Sequence, residues 1–282
     1  MKILIIGASG FIGRHIEHAC KAQGFQVVRG VRNAGPAEID CDLVRDTDKT
    51  VWLPRLIGID GVINCVGLLH ADAETLQAVH CDAPAAIAGA CAAAKVPFVH
   101  ISVLGLDHAP DTPYFRSKQR GDEAIRAVNS SAIIVRPSLV FGADSPSSQL
   151  LLLQARLPVF FLPADTRPVA PIHVDDLAAL CLCLIGTLRA YGCDVDGVGE
   201  TEMSIADYMQ KLRIAGHHAE AKVVPVPNHW MRFALSATAL CGAKTLRPEA
   251  LDLMEHPHTG KASTFARWMH RPPRPVERFQ AA

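Results

Sequence analysis

A buried-strand pattern at the start of the chain leads directly into a glycine-rich turn and then into a helical pattern. Met1–Ile6 is apolar except at its second residue, as expected of a parallel strand that is buried on both faces. The sequence GASGFIG follows at residues 7–13. Gly7 permits a tight turn, Gly10 lets the backbone approach a phosphate, and Gly13 lets the helix pack closely on the strand. The helix amino terminus then offers free N–H groups to an anion, so these residues predict a site for the pyrophosphate of a dinucleotide. The other predicted cofactor contacts in and beside this loop are Ser9, Phe11, Ile12 and Arg14.

Apolar runs of strand length alternate with helical patterns as far as residue 137. The predicted strands after the first are Gln26–Val31, Glu38–Asp42, Gly61–Val66, Pro97–Ser102 and Ala132–Arg136. The predicted helices among them are Phe11–Gln23, Ala83–Lys95 and Pro113–Asn129. Strands that alternate with helices of this length predict an α/β fold, a doubly wound parallel (Rossmann) sheet with right-handed crossovers.

The second half of the chain is more irregular, and it predicts a small, mostly helical lobe on the substrate side. We expect residues 1–142 to form the Rossmann domain, with a helix at 175–186 packing back on it, and residues 143–282 to form the lobe within the same compact unit. The apolar stretch Leu150–Leu162 is too short to span a bilayer and is broken by Arg156 and Pro158. It predicts a core helix that runs into a buried strand, with a weak peripheral membrane contact as the alternative.

Charge and cysteine content exclude several classes of protein. Lys+Arg and Asp+Glu are equal at 28 each, so no net field favours nucleic acid or an anionic membrane. Nine cysteines without a signal-peptide pattern predict reduced thiols and a cytoplasmic location. Cys181 and Cys183 are close in sequence, but on a helix they do not face each other, and we expect core packing. No metal site is predicted. The other cysteines are Cys20, Cys41, Cys65, Cys81, Cys91, Cys193 and Cys241.

The end of the second strand decides between the two nicotinamide dinucleotides. A carboxylate there would bind the adenosine ribose and repel a 2′-phosphate, but the sequence from Val27 has no acidic residue before Glu38. Arg32 stands just past the strand, where its guanidinium would pair with a 2′-phosphate, and Arg14 and Arg29 would add to that charge. The alternative is that these arginines are solvated surface residues. The pattern favours NADP(H) over NAD(H).

Two further pairs of residues are candidates for contacts with the cofactor. Asp42 and Leu43 follow the third strand, where they would lie near the adenine, although a polar surface turn is an equal alternative. Val66 and Gly67 come at the end of the fourth strand. In an open parallel sheet the ligand binds at the carboxyl ends of the strands, and both pairs lie there.

Tyr114 and Lys118 are a candidate catalytic pair. They lie four residues apart on a predicted helix, hence on one face and about 6 Å apart along its axis. A tyrosine with its ordinary pKa near 10 is a poor acid or base at neutral pH. A neighbouring ammonium favours the phenolate, so this spacing predicts a lowered pKa for Tyr114.

Six stretches together resemble the extended or atypical short-chain dehydrogenases/reductases, which include NAD-dependent epimerase/dehydratase-like and NmrA-like proteins. They cover about the first 180 residues, in the order of the family. HISVLGLD, PYFRSKQRGDEA and the closing RPPRPVERF are most similar to the branch of the nucleotide-binding accessory subunit of respiratory complex I and its bacterial relatives. The six stretches are GASGFIG, VHCDAP (79–84), VPFVHIS (96–102), PYFRSK (113–118), RPSLVFG (136–142) and PIHVDDLA (171–178).

The resemblance implies roles for the candidate residues. Tyr114 would be the acid/base, Lys118 would support it and hold a ribose hydroxyl, and Ser102 would stabilise the oxyanion. In many extended enzymes the acting hydroxyl falls one position later, where this chain has Val103. The sequence therefore leaves two alternatives. Ser102 is either the third member of a catalytic triad or absent from it, and the bound cofactor is either used in catalysis or only bound.

Three functions remain compatible with these residues. The first is an oxidoreductase that moves hydride between nicotinamide C4 and a small or lipophilic carbonyl or alcohol. The second is a non-catalytic NADP(H)-binding accessory or assembly protein, or a redox sensor, whose partner is another protein. The third is an NAD-dependent epimerase or dehydratase. The very apolar stretch Leu150–Leu162 is mild support for a small-molecule partner other than a nucleotide sugar.

Overall fold

The computed structural model describes residues 1–240, 249–255 and 259–280. Its strands are β1 (Lys2–Ile6), β2 (Gln26–Val31), β3 (Glu38–Asp40), β4 (Gly61–Asn64), β5 (Phe98–Ile101), β6 (Ile133–Pro137), β7 (Val140–Phe141), β8 (Val159–Pro163), β9 (Ile172–His173), β10 (Asp194–Gly197) and β11 (Lys222–Val226). Its α-helices are α1 (Phe11–Ala22), α2 (Lys49–Trp52), α3 (Ala73–Gln77), α4 (Ala83–Ala94), α5 (Pro113–Val128), α6 (Pro146–Ala155), α7 (Val174–Ile185), α8 (Ile205–Ala215), α9 (Asn228–Leu240), α10 (Glu249–Met254) and α11 (Ser263–Met269). A π-helical turn, Ala78–Asp82, joins α3 to α4.

The central sheet has seven parallel strands in the order β10-β6-β5-β4-β1-β2-β3. The chain moves outward from β1 in one direction to β3, and then returns to the other side of β1 at β4. This reversal is the topological switch point, where the loops after β1 and β4 leave a crevice for a ligand. The predicted doubly wound sheet is confirmed, and the ends of the predicted strands and helices differ from the observed ones by at most two residues.

Alternate residues of each strand pack on opposite faces of the sheet, because successive side chains of a strand point in opposite directions. One face packs Ile3 and Ile5 of β1 against α1 and α7. The other packs Leu4 and Ile6 against α4 and its neighbours. All four side chains are fully buried, as the apolar run at the start of the chain predicts. Helices therefore cover both faces of the sheet.

β10 is a strand of the main sheet that the sequence pattern did not predict. Its sequence, DVDG, contains residues of low strand propensity. Asp194 makes ion pairs with Arg126 of α5 and with Arg136 of the adjacent strand, and Val195 is 1% exposed. Tertiary contacts therefore hold this edge strand where local propensity does not.

The second half of the chain contains a lobe built around a separate apolar cluster with α6, α8 and the two-stranded sheet of β8 and β11. The predicted helix-then-strand order of Leu150–Leu162 is confirmed, because α6 ends at Ala155 and β8 starts at Val159. The expected burial is only partly correct. Phe160 is buried, whereas Leu153, Leu157 and Phe161 are more than half exposed.

Three further observations concern membrane, metal and thiol chemistry. No helix in the described residues has the length and apolar character needed to cross a membrane. Within those same residues, no group of three or more His, Cys, Asp or Glu side chains is arranged to hold a metal ion. Eight of the nine cysteines are described as free thiols, and Cys241 lies outside the described residues.

Candidate active site

The glycine turn brings the amino terminus of α1 against the end of β1. Gly7 has a φ of +83°, which favours glycine, and its N–H donates to the Gly30 carbonyl oxygen at 2.9 Å. A Cβ at Gly13 would overlap the Gly7 carbonyl oxygen and would lie 2.9 Å from Ala8 Cα. Gly10 is the N-cap of α1 and offers no side chain to cap it. The first N–H groups of α1 are thus available to an anionic ligand.

The three arginines near the end of β2 have different surroundings. Arg29 makes ion pairs with Glu17 and Glu38, and Arg14 donates to Asp144 at 2.9 Å. This differs from the expectation that both are free to add charge at a 2′-phosphate. Arg32 is exposed just past β2, and no carboxylate in the described part of the chain pairs with it. Arg32 is thus the one of the three without an ion pair in the described part of the chain, and Arg14 and Arg29 stay predicted contributors to the charge.

The predicted adenine contacts have structural roles in the free protein. The Asp42 carboxylate accepts the Val44 N–H at 3.2 Å and pairs with Arg45 at 3.2 Å, which is the polar turn that the sequence left as an alternative. Leu43 is 4% exposed and belongs to the core beneath it. Just after β3 the chain therefore presents the polar side chain of Asp42 at the surface, and it packs the apolar side chain of Leu43 into the core.

The loop after β4 meets both the glycine turn and helix α5. A Cβ at Gly7 would lie 2.8 Å from Val66 Cγ2, and a Cβ at Gly67 would lie 3.4 Å from Lys118 Nζ. The structure therefore brings the predicted residues Gly7, Val66, Gly67 and Lys118 together at the carboxyl edge of the sheet.

Lys118 is a buried cation in the first turns of α5. That helix begins with the N-cap Thr112 and Pro113, a combination that sets its starting point. Lys118 is 4% exposed, and its Nζ donates to the Ile101 carbonyl oxygen at 3.4 Å. Burial lowers the pKa of Lys118 to about 8, and the negative charge of Asp122, one turn further along, acts in the opposite direction. The ammonium thus sits between the Gly67 loop and a buried carboxylate.

Tyr114 lies one turn before Lys118, at the wall of a cavity. Its ring makes edge contacts with His80 and Phe115, with centroids 5.6 and 5.1 Å away. Burial raises the pKa of Tyr114 to about 12, which is opposite to the lowering that the Lys118 spacing predicts. Desolvation of the phenolate dominates here. Tyr114 is consequently a neutral phenol at physiological pH, the form that donates a proton.

The structure does not join Ser102 to this pair by a hydrogen bond. Ser102 is 6% exposed and its hydroxyl makes no hydrogen bond with the described residues. The hydroxyl lies close enough to the Asp122 carboxyl to lower that group's pKa, although burial raises it overall. Asp122 is eight residues beyond Tyr114, or about 12 Å along the helix axis. The structure therefore places Tyr114 and Lys118 together, and it places Ser102 beside Asp122 rather than beside Tyr114.

A layer of buried polar side chains lies between the sheet and α5, and sequence reasoning missed it. Each of its members is at most 4% exposed. A signal existed, since Asn64 and His100 are single polar residues inside the apolar runs GVINCV and PFVHIS. They are paired across β4 and β5, with Asn64 Nδ2 3.1 Å from His100 Nδ1. The layer consists of Asn64, His80, His100, Ser117 and Asp122.

The cavity beside Tyr114 has a volume of about 410 Å³ and a largely apolar lining. Its one carboxylate, Asp252, is paired with Arg232 at 2.8 Å. A larger cavity of about 850 Å³, between α1 and the segment 271–280, is lined by none of the predicted site residues. The cavity beside Tyr114 is thus the candidate substrate site. Its lining residues are Leu69, His70, Ala71, Leu76, Thr112, Pro113, Tyr114, Phe115, Asp252 and Leu253.

Comparison with known proteins shows the family to which this chain is similar. Residues 3–193 match the NAD dependent epimerase/dehydratase family. A ceramide reductase from Caulobacter vibrioides is 34% identical over 185 residues, which cover 63% of this chain and 58% of that protein. Subunit 9 of the NADH dehydrogenase [ubiquinone] 1 alpha subcomplex from Dictyostelium discoideum is 23% identical over 253 residues, 81% of this chain and 68% of that one. The chain therefore spans little more than half of the reductase that it resembles.

A solved structure has the same fold at low sequence identity. It is a dTDP-4-dehydrorhamnose reductase from Clostridium acetobutylicum, with a TM-score of 0.69 and 20% identity. The alignment covers 82% of this chain and 85% of that one. At this identity the similarity establishes the fold.

Proposed function

The chain belongs to the NAD dependent epimerase/dehydratase family, and on that premise we propose that it is an NADP(H)-dependent reductase of a small or lipophilic carbonyl compound. The observation that carries the proposal is the neutral phenol of Tyr114 at the wall of an apolar cavity, one helical turn from the buried ammonium of Lys118. A proton donor at the cavity wall, with a cation one helical turn away, suits the reduction of a carbonyl to an alcohol.

The residues fit the cofactor on three counts. The open amino terminus of α1 suits a pyrophosphate. Exposed Arg32 suits a 2′-phosphate. Lys118 beside Gly67 suits a ribose hydroxyl. The chemistry that the bound dinucleotide would supply is a hydride from nicotinamide C4.

The protein residues would supply the proton. Tyr114 would donate its phenolic proton to the substrate oxygen, which would complete the alcohol and leave Tyr114 as a phenolate. Lys118 stabilises that phenolate by its positive charge until solvent protonates it again. The apolar lining excludes water and favours a substrate without charge. The resemblance to a protein named ceramide reductase supports a lipophilic substrate.

An accessory role is the second candidate, and two observations favour it. One relative is a subunit of NADH dehydrogenase, and the hydroxyl of Ser102 makes no hydrogen bond to Tyr114. Purification without added nucleotide, followed by assay with NADPH and a panel of aliphatic and aromatic ketones and aldehydes, separates the two candidates. NADPH consumption supports the reductase. Retained NADPH without consumption supports the accessory protein.

Cofactor preference has a direct test at Arg32. We expect NADPH to bind more tightly than NADH, and Arg32→Ala to weaken NADPH binding roughly tenfold while leaving NADH binding unchanged, because an exposed charge-assisted pair is lost. Titration of the intrinsic fluorescence with each nucleotide measures both constants. Arg45→Ala, an exposed arginine beside Asp42, is the matched control. Tighter binding of NADH by the unmodified protein would overturn the preference.

The pH dependence of the reductase reaction has an expected direction. Lys118 loses its charge as pH rises through about 8, whereas Tyr114 stays protonated to about 12. We therefore expect kcat/KM to fall above pH 8.

Asp122→Asn removes a charge that raises the pKa of Lys118, so the fall should move to lower pH. Asp194→Asn removes the other carboxylate on Arg136 and should leave the profile in place. An unmoved profile in Asp122→Asn would exclude Lys118 as its origin.

A further inference from the structure

His80 connects the loop after β4 with the helix that carries Tyr114 and Lys118. It lies in the π-helical turn Ala78–Asp82 and is fully buried. The Leu68 N–H donates to His80 Nε2 at 3.0 Å, and His80 Nδ1 is 2.8 Å from Ser117 Oγ. One imidazole ring thus contacts both the loop after β4 and helix α5.

The hydrogen bonds determine which ring nitrogen carries the proton. Because Nε2 accepts from Leu68, a neutral ring must carry its proton on Nδ1 and donate it to Ser117 Oγ. The Ser117 hydroxyl then donates to the Tyr114 carbonyl oxygen at 2.8 Å. Burial, and to a smaller extent the charge of Lys118, lowers the pKa of His80 to about 2. The ring is therefore neutral across the physiological pH range. The hydrogen bonds then run in one direction, from the His80 ring to the Ser117 hydroxyl and from that hydroxyl to the Tyr114 carbonyl oxygen.

Packing reinforces this connection from two sides. The His80 ring meets the Tyr114 ring edge-on. A Cβ at Gly121 would overlap the His80 carbonyl oxygen, so α5 lies directly on the π-helical turn. The contact at Gly121 uses only the backbone of residue 80, whereas the link between α5 and the Gly67 loop is made by the His80 side chain.

We propose that His80 is a positioning residue that keeps the loop Val66–Leu68 and the Tyr114–Lys118 turn of α5 in one fixed register. The loop side governs cofactor binding and the helix side governs proton donation. The helix side rests on the proposed function, whereas the loop side requires only that the cofactor binds.

Two substitutions separate these sides. In His80→Asn the amide nitrogen replaces Nδ1, so the bond to Ser117 is kept and the acceptor for Leu68 is lost. In His80→Gln the amide oxygen reaches the position of Nε2, so the acceptor for Leu68 is kept and the donor to Ser117 is lost. Ser117→Ala should behave as His80→Gln does. His218→Asn, at an exposed position of the lobe, is the control.

Cofactor affinity and hydrogen exchange test the proposal without any substrate. We expect His80→Asn to weaken NADPH binding roughly tenfold and to increase exchange in residues 66–68, because a buried N–H loses its acceptor. His80→Gln and Ser117→Ala should increase exchange in residues 113–118 and, because Lys118 of that turn suits a ribose hydroxyl, should weaken NADPH binding by about threefold, less than His80→Asn does. If carbonyl reduction is observed, these two variants should lower kcat roughly tenfold, a larger change than the one in KM for NADPH.

Equal changes in all readouts for His80→Asn and His80→Gln would overturn the proposal, since a purely structural residue would affect both sides together. Unchanged affinity and exchange in both variants would overturn it as well. Absence of carbonyl reduction in the unmodified protein would contradict the reductase function alone, because the affinity and exchange measurements still decide the role of His80.

Discussion

Replacement of Tyr114 by phenylalanine is expected to lower the rate of carbonyl reduction by roughly 10²- to 10⁴-fold, the range that general acid catalysis contributes. The substitution removes only the phenolic oxygen. The ring contacts with His80 and Phe115 remain, so cofactor affinity should change by less than about twofold. Single-turnover measurements with excess NADPH report the chemical step directly.

Tyr208→Phe is the matched control for that substitution. Tyr208 is fully buried in the core of the lobe, away from the cavity beside Tyr114, and its hydroxyl makes no hydrogen bond with the described residues. Its loss should leave the rate unchanged. A Tyr114→Phe variant with the rate of the unmodified protein would remove Tyr114 from the mechanism, and would leave the accessory role as the better account of the Tyr–Lys pair.

The parts of this molecule that sequence predicts well depend on local chemistry. The apolar run of β1, the glycine spacing of residues 7–13 and the start of α5 at Pro113 each depend on a few adjacent residues. The positions of these elements can therefore be predicted from the sequence. β10 was missed for the converse reason, because its Asp194 is held by arginines 58 or more residues away.

The electrostatics of the site needed the tertiary structure. The spacing of Tyr114 and Lys118 predicts a phenol of lowered pKa, yet burial raises it to about 12. Spacing gives the distance between two groups but not how much water each has lost, and desolvation is the cause of the raised pKa of Tyr114. The ion pairs of Arg29 could not be predicted from the sequence either, because Glu17 and Glu38 belong to α1 and β3 and meet Arg29 only in the folded protein.

The buried polar layer shows where the sequence carried a signal that pattern reading passed over. Asn64 and His100 interrupt apolar runs at positions that face α5, and each is at most 1% exposed. Buried polar side chains are costly unless they are paired. A single polar residue inside a predicted buried strand near a ligand edge is accordingly a candidate for the site, and His80 extends the same reasoning to a helical turn.

Gly13→Ala is expected to weaken NADPH binding roughly 100-fold or more, because the turn and the helix that form the pyrophosphate site would have to separate. A Cβ at this position overlaps the Gly7 carbonyl oxygen and lies 2.9 Å from Ala8 Cα, and both are backbone atoms that cannot rotate away. A shift of about 1 Å in binding groups is enough for an effect of this size. The same overlap should lower the free energy of unfolding by about 1–3 kcal/mol.

Gly89→Ala supplies the control for the Gly13 substitution, since Gly89 is also a helical glycine. The nearest atoms to a Cβ there are 3.7 Å away, an ordinary contact distance, so the helix gains up to about 1 kcal/mol from the better helix former. Calorimetric titration with NADPH, carried out well below the midpoint of thermal unfolding, separates lost binding from lost folding. A folded Gly13→Ala protein that binds NADPH as tightly as the Gly89→Ala protein would mean that the pyrophosphate lies elsewhere than at the amino terminus of α1.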